Sequence, residues 1–99
     1  MKNLKKMIEV NSYFDDNVKS LGYETPEGKS TVGVMEPGDY EFGTSTHETM
    51  IVIEGEMHVT LPGETEAKVI KNGEIFQVEA DQKFKVSVVE QTSYLCQYS

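Results

Sequence analysis

Residues 37–56 read PGDYEFGTSTHETMIVIEGE and combine turn residues with two short apolar runs. A Pro-Gly turn leads into a strand predicted over Asp39–Phe42, and a polar loop then covers Gly43–Glu48. A second strand is predicted over Thr49–Ile53, and it ends at a turn that contains Gly55. Proline and glycine mark turns because proline has a fixed φ and glycine tolerates a positive one. The stretch therefore predicts two strands joined by a polar loop.

The same alternation of short strands and turns continues on both sides of this stretch. Turn residues recur about every 8–12 residues, the spacing of all-β sandwiches and barrels. Among the turns, Asn72-Gly73 is the strongest signal for a two-residue hairpin. The other predicted strands cover 8–10, 18–23, 30–35, 57–61, 67–70, 74–78, 83–88 and 94–98. The chain is thus predicted to be all-β, with a short N-terminal arm over 1–7 and a single domain over 8–99.

Parity along the strands indicates which side chains face the core, because successive side chains in a strand point to opposite faces. A bulge would shift this parity by one residue. The predicted inward set is Tyr40, Phe42, Thr44, Met50, Val52, Phe76, Val78, Phe84, Val86 and Val88.

Composition limits the classes of partner and the compartment. The 99 residues carry a net charge of −8 and no arginine, which argues against a nucleic-acid-binding face. A chain of this length buries only about 60–65% of its unfolded surface, so a dimer partner that covers more apolar surface is plausible. One cysteine cannot form an internal disulfide. Neither a membrane-length apolar run nor a secretory signal is present, so the default expectation is a cytoplasmic protein.

Glu48 and Gly55 have the spacing that ends the first cupin motif, G-x5-H-x-H-x3,4-E-x6-G, which this stretch resembles. In cupins this motif and G-x5-P-x-G-x2-H-x3-N together supply three His and one Glu to a metal. Here the first two His positions fall on Phe42 and Thr44, or on Glu41 and Gly43 with the other spacing.

The second motif lacks both the Pro and the third His of the cupin pattern. The Pro position is Glu79, and the third His position is Phe84. All three imidazoles are therefore replaced, and we expect a retained cavity without the cupin metal. A metal site could be rebuilt only if His47 and His58 converged with Glu48, and two solvent-exposed histidines are the alternative. Imidazole does suit transition metals.

Four ionisable side chains are candidates for chemistry. Glu48 either faces the apolar interior, which would raise its pKa, or lies at a strand end in water. Cys96 alternates with tyrosines on the last strand and is predicted to be a buried, inert thiol. Lys29, followed by two hydroxyl residues in a turn, could hold an anion, and Lys19 beside Ser20 is the other candidate.

Taken together, several stretches resemble the pyrimidine/purine nucleoside phosphorylases, a family of small cupins. The resemblance covers about Tyr13 to Tyr98. It is carried by VKS at 18–20, VGVM at 32–35, GDYEF at 38–42, ETM at 48–50, VI at 52–53, Gly55, LP at 61–62, G-x-x-F-x-V at 73–78, Phe84 and TSYLCQY at 92–98.

The resemblance implies a single-domain, all-β cupin jelly roll that acts as a homodimer without a cofactor. Such an enzyme splits purine and pyrimidine nucleosides with inorganic phosphate into free base and ribose 1-phosphate. Two positions depart from the family, with Lys29 in place of Arg and Glu79 in place of Pro. A lysine keeps the charge but loses the bidentate fork that matches phosphate.

On this basis Glu48 is the expected catalytic residue, binding the ribose hydroxyls or stabilising a positive sugar ring. Lys29 and Lys19 are expected to hold phosphate. The expected substrate-binding residues are Phe42, Thr44, Met50, Phe84 and Tyr98. Two alternatives stay open, a non-catalytic cupin-like module that binds a small ligand and a metal-dependent cupin that uses the two histidines with Glu48.

Overall fold

The computed structural model describes residues 7–99, and these form ten β-strands in two facing sheets. The strands are β1 (Glu9–Tyr13), β2 (Val18–Thr25), β3 (Gly28–Met35), β4 (Gly38–Gly43), β5 (Glu48–Glu54), β6 (Glu56–Thr60), β7 (Lys68–Lys71), β8 (Ile75–Val78), β9 (Lys83–Val88) and β10 (Thr92–Tyr98). The all-β prediction is confirmed. Across residues 7–99 the structure contains no helix long and apolar enough to cross a membrane. Most of the predicted N-terminal arm, residues 1–6, lies outside the described residues.

The two sheets are antiparallel and enclose the core between them. One has six strands in the order β1-β2-β3-β10-β5-β8, and the other has four in the order β4-β9-β6-β7. The predicted inward set is buried in this interface, apart from Phe42, which is partly buried against the core. Burial of this apolar set supplies the main driving force for the fold, since each fully buried Val, Met or Phe contributes about 1.5–3 kcal/mol.

The hairpin predicted at Asn72-Gly73 is wrong. A turn does form there, closed by a hydrogen bond from Glu74 N to Lys71 O (2.9 Å). However, β7 pairs with β6 in one sheet while β8 pairs with β5 in the other. Gly73 N donates to Val52 O (2.7 Å) and Val52 N donates to Glu74 O (3.1 Å), so the chain leaves the turn paired with β5. The turn residues Asn72 and Gly73 reverse the direction of the chain, but the free backbone groups of β5 determine which strand β8 pairs with.

Gly55 connects β5 to β6 and holds the two sheets together at one corner. Its φ is +108°, a conformation that side chains disfavour. A Cβ at this position would lie 2.5 Å from Thr92 Oγ1. Thr92 is fully buried and its hydroxyl donates to Glu90 O (3.0 Å), so it has no room to move aside. The glycine of the Glu-x6-Gly pattern is therefore required by both its backbone angle and a close contact.

Candidate functional site

A cavity of about 480 Å³ opens between the two sheets, within the usual size range of small-molecule sites. Its two walls differ in chemistry. The six-stranded sheet contributes Ser20, Thr31, Glu48 and Tyr98, whereas β4 and β9 of the other sheet contribute Phe42 and Phe84. The remaining lining residues are Tyr13, Phe14, Met35, Glu41, Gly43, Met50, Tyr94 and Cys96. The six-stranded sheet thus offers hydrogen bonds and the Glu48 carboxylate beside apolar side chains, and the other sheet offers aromatic rings with the exposed Glu41 next to them.

Glu48 is the half-buried carboxylate of this cavity, whereas the other lining carboxylate, Glu41, is exposed. The Glu48 side chain faces inward, which is one of the two alternatives that the sequence left open. It begins β5 and lies opposite Tyr98 on β10. Burial raises the pKa of Glu48 above its ordinary value, while a hydrogen bond from Cys96 and the neighbouring His47 lower it. The Cys96 thiol donates to Glu48 Oε1 with an S···O distance of 3.5 Å. The Glu48 carboxylate is therefore half-buried, and one of its oxygens accepts a hydrogen bond from Cys96.

Cys96 is buried, as predicted, and serves as a donor to Glu48 rather than as a nucleophile. Burial, and next the charge of Glu48, raise the pKa of the Cys96 thiol to about 12. The thiol is consequently neutral at physiological pH, and only a thiolate is strongly nucleophilic.

Tyr98 and Tyr94 line the same wall as Glu48. The Tyr98 hydroxyl lies 3.2 Å from Thr31 Oγ1, which places two hydroxyls beside the carboxylate. Tyr94 lies across Gly33 on β3, where an added Cβ would meet the tyrosine oxygen at 2.5 Å. Burial raises the pKa of Tyr94 to about 12, so its phenol stays protonated. A glycine in mid-strand thus makes room for the tyrosine at the cavity.

The opposite wall is a set of packed aromatic rings. Phe42 and Phe84 are stacked with centroids 5.6 Å apart, and Phe76 supports Phe84 from the core at 5.8 Å. Phe14 packs on the outer side, 5.4 Å from Phe42. Phe42, Met50 and Phe84 line the cavity as predicted, whereas the sequence reasoning assigned no role to Phe14. The only local signal for it was its position directly before the turn at Asp15–Asn17.

Thr44 is buried but does not line the cavity. Its hydroxyl donates to Glu79 O (2.7 Å) and accepts from Gln82 N (3.0 Å), so it anchors the loop before β9. The structure therefore gives Thr44 contacts that stabilise a loop, and its predicted contact with substrate stays untested. The loop uses the carbonyl of Glu79 while its side chain is exposed, which explains why a glutamate is accommodated at the Pro position.

The two predicted phosphate-binding lysines occupy different places. Lys29 lies two residues before Thr31 on β3 and lines a shallower groove of about 260 Å³. This groove shares Tyr13, Thr31 and Tyr98 with the main cavity, so the two are adjacent. Lys19 lies between inward-facing Val18 and Ser20 and is exposed on the outer face of the sheet. The structure brings Lys29 to the site and does not bring Lys19 there.

His47 and His58 lie on different parts of the fold, and each ring contacts other polar side chains. His47 Nε2 lies 2.9 Å from Gln77 Oε1 and its Nδ1 lies 3.0 Å from Ser99 Oγ, while His58 Nε2 lies 3.0 Å from Glu56 Oε2. Among residues 7–99, no three His, Cys, Asp or Glu side chains are placed to hold a metal ion. With Phe42 and Phe84 at ligand positions, the residues present do not fit a cupin metal.

Comparison with known proteins agrees with this description. A family model described as pyrimidine/purine nucleoside phosphorylase matches residues 8–98. A pyrimidine/purine nucleoside phosphorylase from Pseudoalteromonas atlantica is 54% identical over 92 residues, which are 93% of this chain and 99% of that protein. One of the same name from Alcanivorax borkumensis is 52% identical, with 93% and 98% covered.

Solved structures support the fold as well. A protein of unknown function from Vibrio parahaemolyticus has a TM-score of 0.91 and 41% identity, covering 95% of this chain and all of that chain (100%). An RmlC-like cupin from Shewanella frigidimarina has a TM-score of 0.72 at 16% identity, covering 99% of this chain and 91% of that chain. The second likeness concerns the fold alone, and it confirms the predicted cupin-type jelly roll.

Proposed function

The chain belongs to the pyrimidine/purine nucleoside phosphorylase family, and we propose that it cleaves nucleosides with inorganic phosphate. The observation that carries the proposal for this chain is the division of the cavity into two walls. A nucleoside has an apolar, flat base and a polar ribose, and these match the Phe42–Phe84 wall and the Glu48–Tyr98 wall respectively. An apolar wall makes few base-specific hydrogen bonds, which favours broad acceptance of purines and pyrimidines.

The proposed reaction is a single displacement at C1′ of the ribose. A phosphate oxygen forms the new bond to C1′, the bond to the base nitrogen breaks, and its electron pair leaves with the base, which takes up a proton. The sugar passes through an oxocarbenium-like state, as in glycoside hydrolysis. The Glu48 carboxylate would stabilise that positive charge or accept hydrogen bonds from the ribose hydroxyls. These steps require no metal, and none is proposed.

Phosphate is proposed to bind at the groove beside Lys29. The groove carries the Lys29 amine together with the hydroxyls of Thr31, Thr46 and Tyr98, and its lining also includes the Glu9 carboxylate. It shares Thr31 and Tyr98 with the cavity that Glu48 lines. An anion placed there would lie at the ribose end of a nucleoside whose base contacts the aromatic wall. A role for Lys19 and the expected cytoplasmic location stay predictions of the sequence.

We expect purified protein to release free base from inosine and from uridine only when inorganic phosphate is present. The other product should be ribose 1-phosphate, because phosphate supplies the oxygen bonded to C1′. Chromatography of the reaction mixtures with and without phosphate measures both products. Release that persists without phosphate would indicate hydrolysis, and no release from either nucleoside would favour the small-ligand-binding module. Loss of release after chelation would favour the metal-dependent alternative.

We further propose that the enzyme is a homodimer formed through the outer face of the six-stranded sheet. One apolar residue from each strand occupies successive paired positions across this face. The row consists of Val10, Leu21, Val32, Leu95, Ile51 and Ile75. Six strands about 4.8 Å apart give it a width of roughly 24 Å. Exposed apolar patches of this extent are typical of protein interfaces.

A second copy of this chain is the partner that this face fits. In a two-fold dimer the same patch lies on both sides, so an apolar row can pack on itself. The neighbouring row begins at Ser12, continues through Lys19, Val34 and Ser93, and ends at Glu54. A two-fold axis between Val34 and Ser93 would bring Lys19 of one copy near Glu54 of the other, which adds charge complementarity.

Val32→Glu is expected to convert the dimer into a monomer, because it places a charge at the centre of the apolar row. The matched control is Val69→Glu, since Val69 is 45% exposed, against 37% for Val32, but lies on β7 of the other sheet. Sedimentation velocity measures both variants beside the parent chain. A monomeric parent chain, or a Val32→Glu variant that stays dimeric, would contradict the proposed interface.

A further inference from the structure

Phe14 occupies an unusual backbone conformation at the mouth of the cavity. It begins the turn between β1 and β2, and the φ values of Phe14, Asp15 and Asp16 are +54°, +56° and +69°. Asp tolerates the left-handed region, but a bulky residue there is a genuine outlier. Asn17 holds the turn by donating from its backbone N (3.1 Å) and its side chain (2.9 Å) to Phe14 O.

Burial does not explain this strained residue. The Phe14 ring packs against Tyr40, with centroids 5.0 Å apart, and against Phe42, yet the residue remains 42% exposed. An asparagine or glycine would form the same turn at lower conformational cost. Strained residues that persist in this way are concentrated at ligand sites.

The Phe14 ring is oriented differently from the other rings of the aromatic wall. Phe14 lines the cavity at the end of the aromatic wall, edge-on to Phe42 at an interplanar angle of 85°. Phe42 and Phe84 continue the wall inward as a stacked pair. A planar ligand lying along this wall would therefore meet the Phe14 ring at a different angle from the rings of Phe42 and Phe84.

We propose that Phe14 contacts the nucleobase directly and determines how strongly purine nucleosides are favoured over pyrimidine nucleosides. The inference rests on the nucleoside substrate of the proposed function. Stacking on an aromatic side chain works for every base because every base has a π-face. A purine presents two fused rings to Phe14 and a pyrimidine one, so the purine gains more from this contact.

Two variants separate stacking from a structural role. Phe14→Leu keeps apolar bulk but removes the π-face, and Phe14→Asn also relieves the left-handed strain. Both are expected to raise the KM for inosine roughly 5- to 100-fold, the KM for uridine less, and to affect kcat less than KM. The melting temperature of Phe14→Asn should equal or exceed that of the parent chain. Tyr23→Leu is the matched control, since Tyr23 is an aromatic residue outside the cavity lining.

Calorimetric titration with inosine tests the same contact without catalysis. We expect weaker binding by both Phe14 variants and unchanged binding by Tyr23→Leu. Unchanged affinity and KM in the Phe14 variants, or equal losses for inosine and uridine, would overturn the inference while phosphorolysis by the parent chain upheld the proposed function. A parent chain that binds inosine but releases no base would refute the phosphorylase alone. No inosine binding at all would refute both.

Discussion

Glu48→Gln is expected to lower kcat/KM for phosphorolysis by roughly 10²–10³, the usual cost of removing one positioned electrostatic group. Glutamine has nearly the shape of glutamate but carries no charge, so it cannot stabilise a positive sugar ring. The half-buried position of Glu48 strengthens this effect, because a charge partly removed from water acts through a lower dielectric. Initial rates with inosine at saturating phosphate measure the loss.

The pH dependence provides a second readout for Glu48. The carboxylate form is the active one in the proposed mechanism, so activity of the parent chain should fall as pH falls through the pKa of Glu48. Burial raises that pKa, and the acid limb should therefore lie above the ordinary range of a glutamate. The residual activity of Glu48→Gln should lack this limb. A parent chain and variant with the same acid limb would show that another group titrates.

As pH falls, the contribution of Glu48 to the free energy of unfolding should rise, whereas the activity should fall. A carboxyl whose pKa is raised by folding stabilises the fold below its unfolded pKa, and that contribution is lost as pH rises through its folded pKa. Glu48→Gln should therefore unfold at a higher urea concentration than the parent chain at neutral pH, and the difference should vanish near about pH 4. Glu66→Gln, an exposed glutamate far from the cavity lining, serves as the control for both readouts.

Gly55→Ala is expected to destabilise the fold by roughly 2–6 kcal/mol, a large part of the ~5–15 kcal/mol available to a domain. Two costs add here, about 1–3 kcal/mol for the disfavoured backbone angle and about 1–3 kcal/mol for overpacking. The overpacking follows from the 2.5 Å approach of an added Cβ to Thr92 Oγ1. Urea unfolding followed by circular dichroism measures the change.

Gly63→Ala is the matched control for Gly55. Gly63 also has a positive φ, +78°, but an added Cβ there would have no neighbour within 4 Å. It should therefore show only the backbone cost, about 1–3 kcal/mol. Equal destabilisation in the two variants would mean that Thr92 yields, and that the close contact at Gly55 contributes nothing.

Much of the site followed from patterns within single strands. Parity and the spacing of the first motif identified Glu48, Met50 and Phe42, and the second motif identified Phe84. The inward direction of these side chains was predictable because a regular strand fixes side-chain direction every two residues. The same rule places Lys19 outward, since it stands between the inward-facing Val18 and Ser20. Lys19 therefore lies on the face of the sheet that is opposite to the cavity.

Other features depend on segments that are distant in the sequence. Phe14 reaches Tyr40 and Phe42 across the mouth of the cavity, and no pattern around residue 14 predicts that contact. Thr44 satisfies the parity rule and is buried, yet its hydroxyl is used by the loop at Glu79–Gln82. In both cases the position of a second segment decides which atoms a side chain meets.

Strand alternation, turn residues and the Glu-x6-Gly spacing predicted an all-β chain that resembles cupins and has no imidazoles at the ligand positions, while they left two alternatives for the direction of Glu48. These properties are local, because they follow from backbone geometry over a few residues. The pairing of β8 with β5, the Cys96 contact to Glu48 and the placement of Lys29 in the groove beside the cavity were decided only by how distant strands pair within the six-stranded sheet. Such contacts depend on which free backbone groups and which buried surfaces meet in space, and sequence periodicity does not encode that.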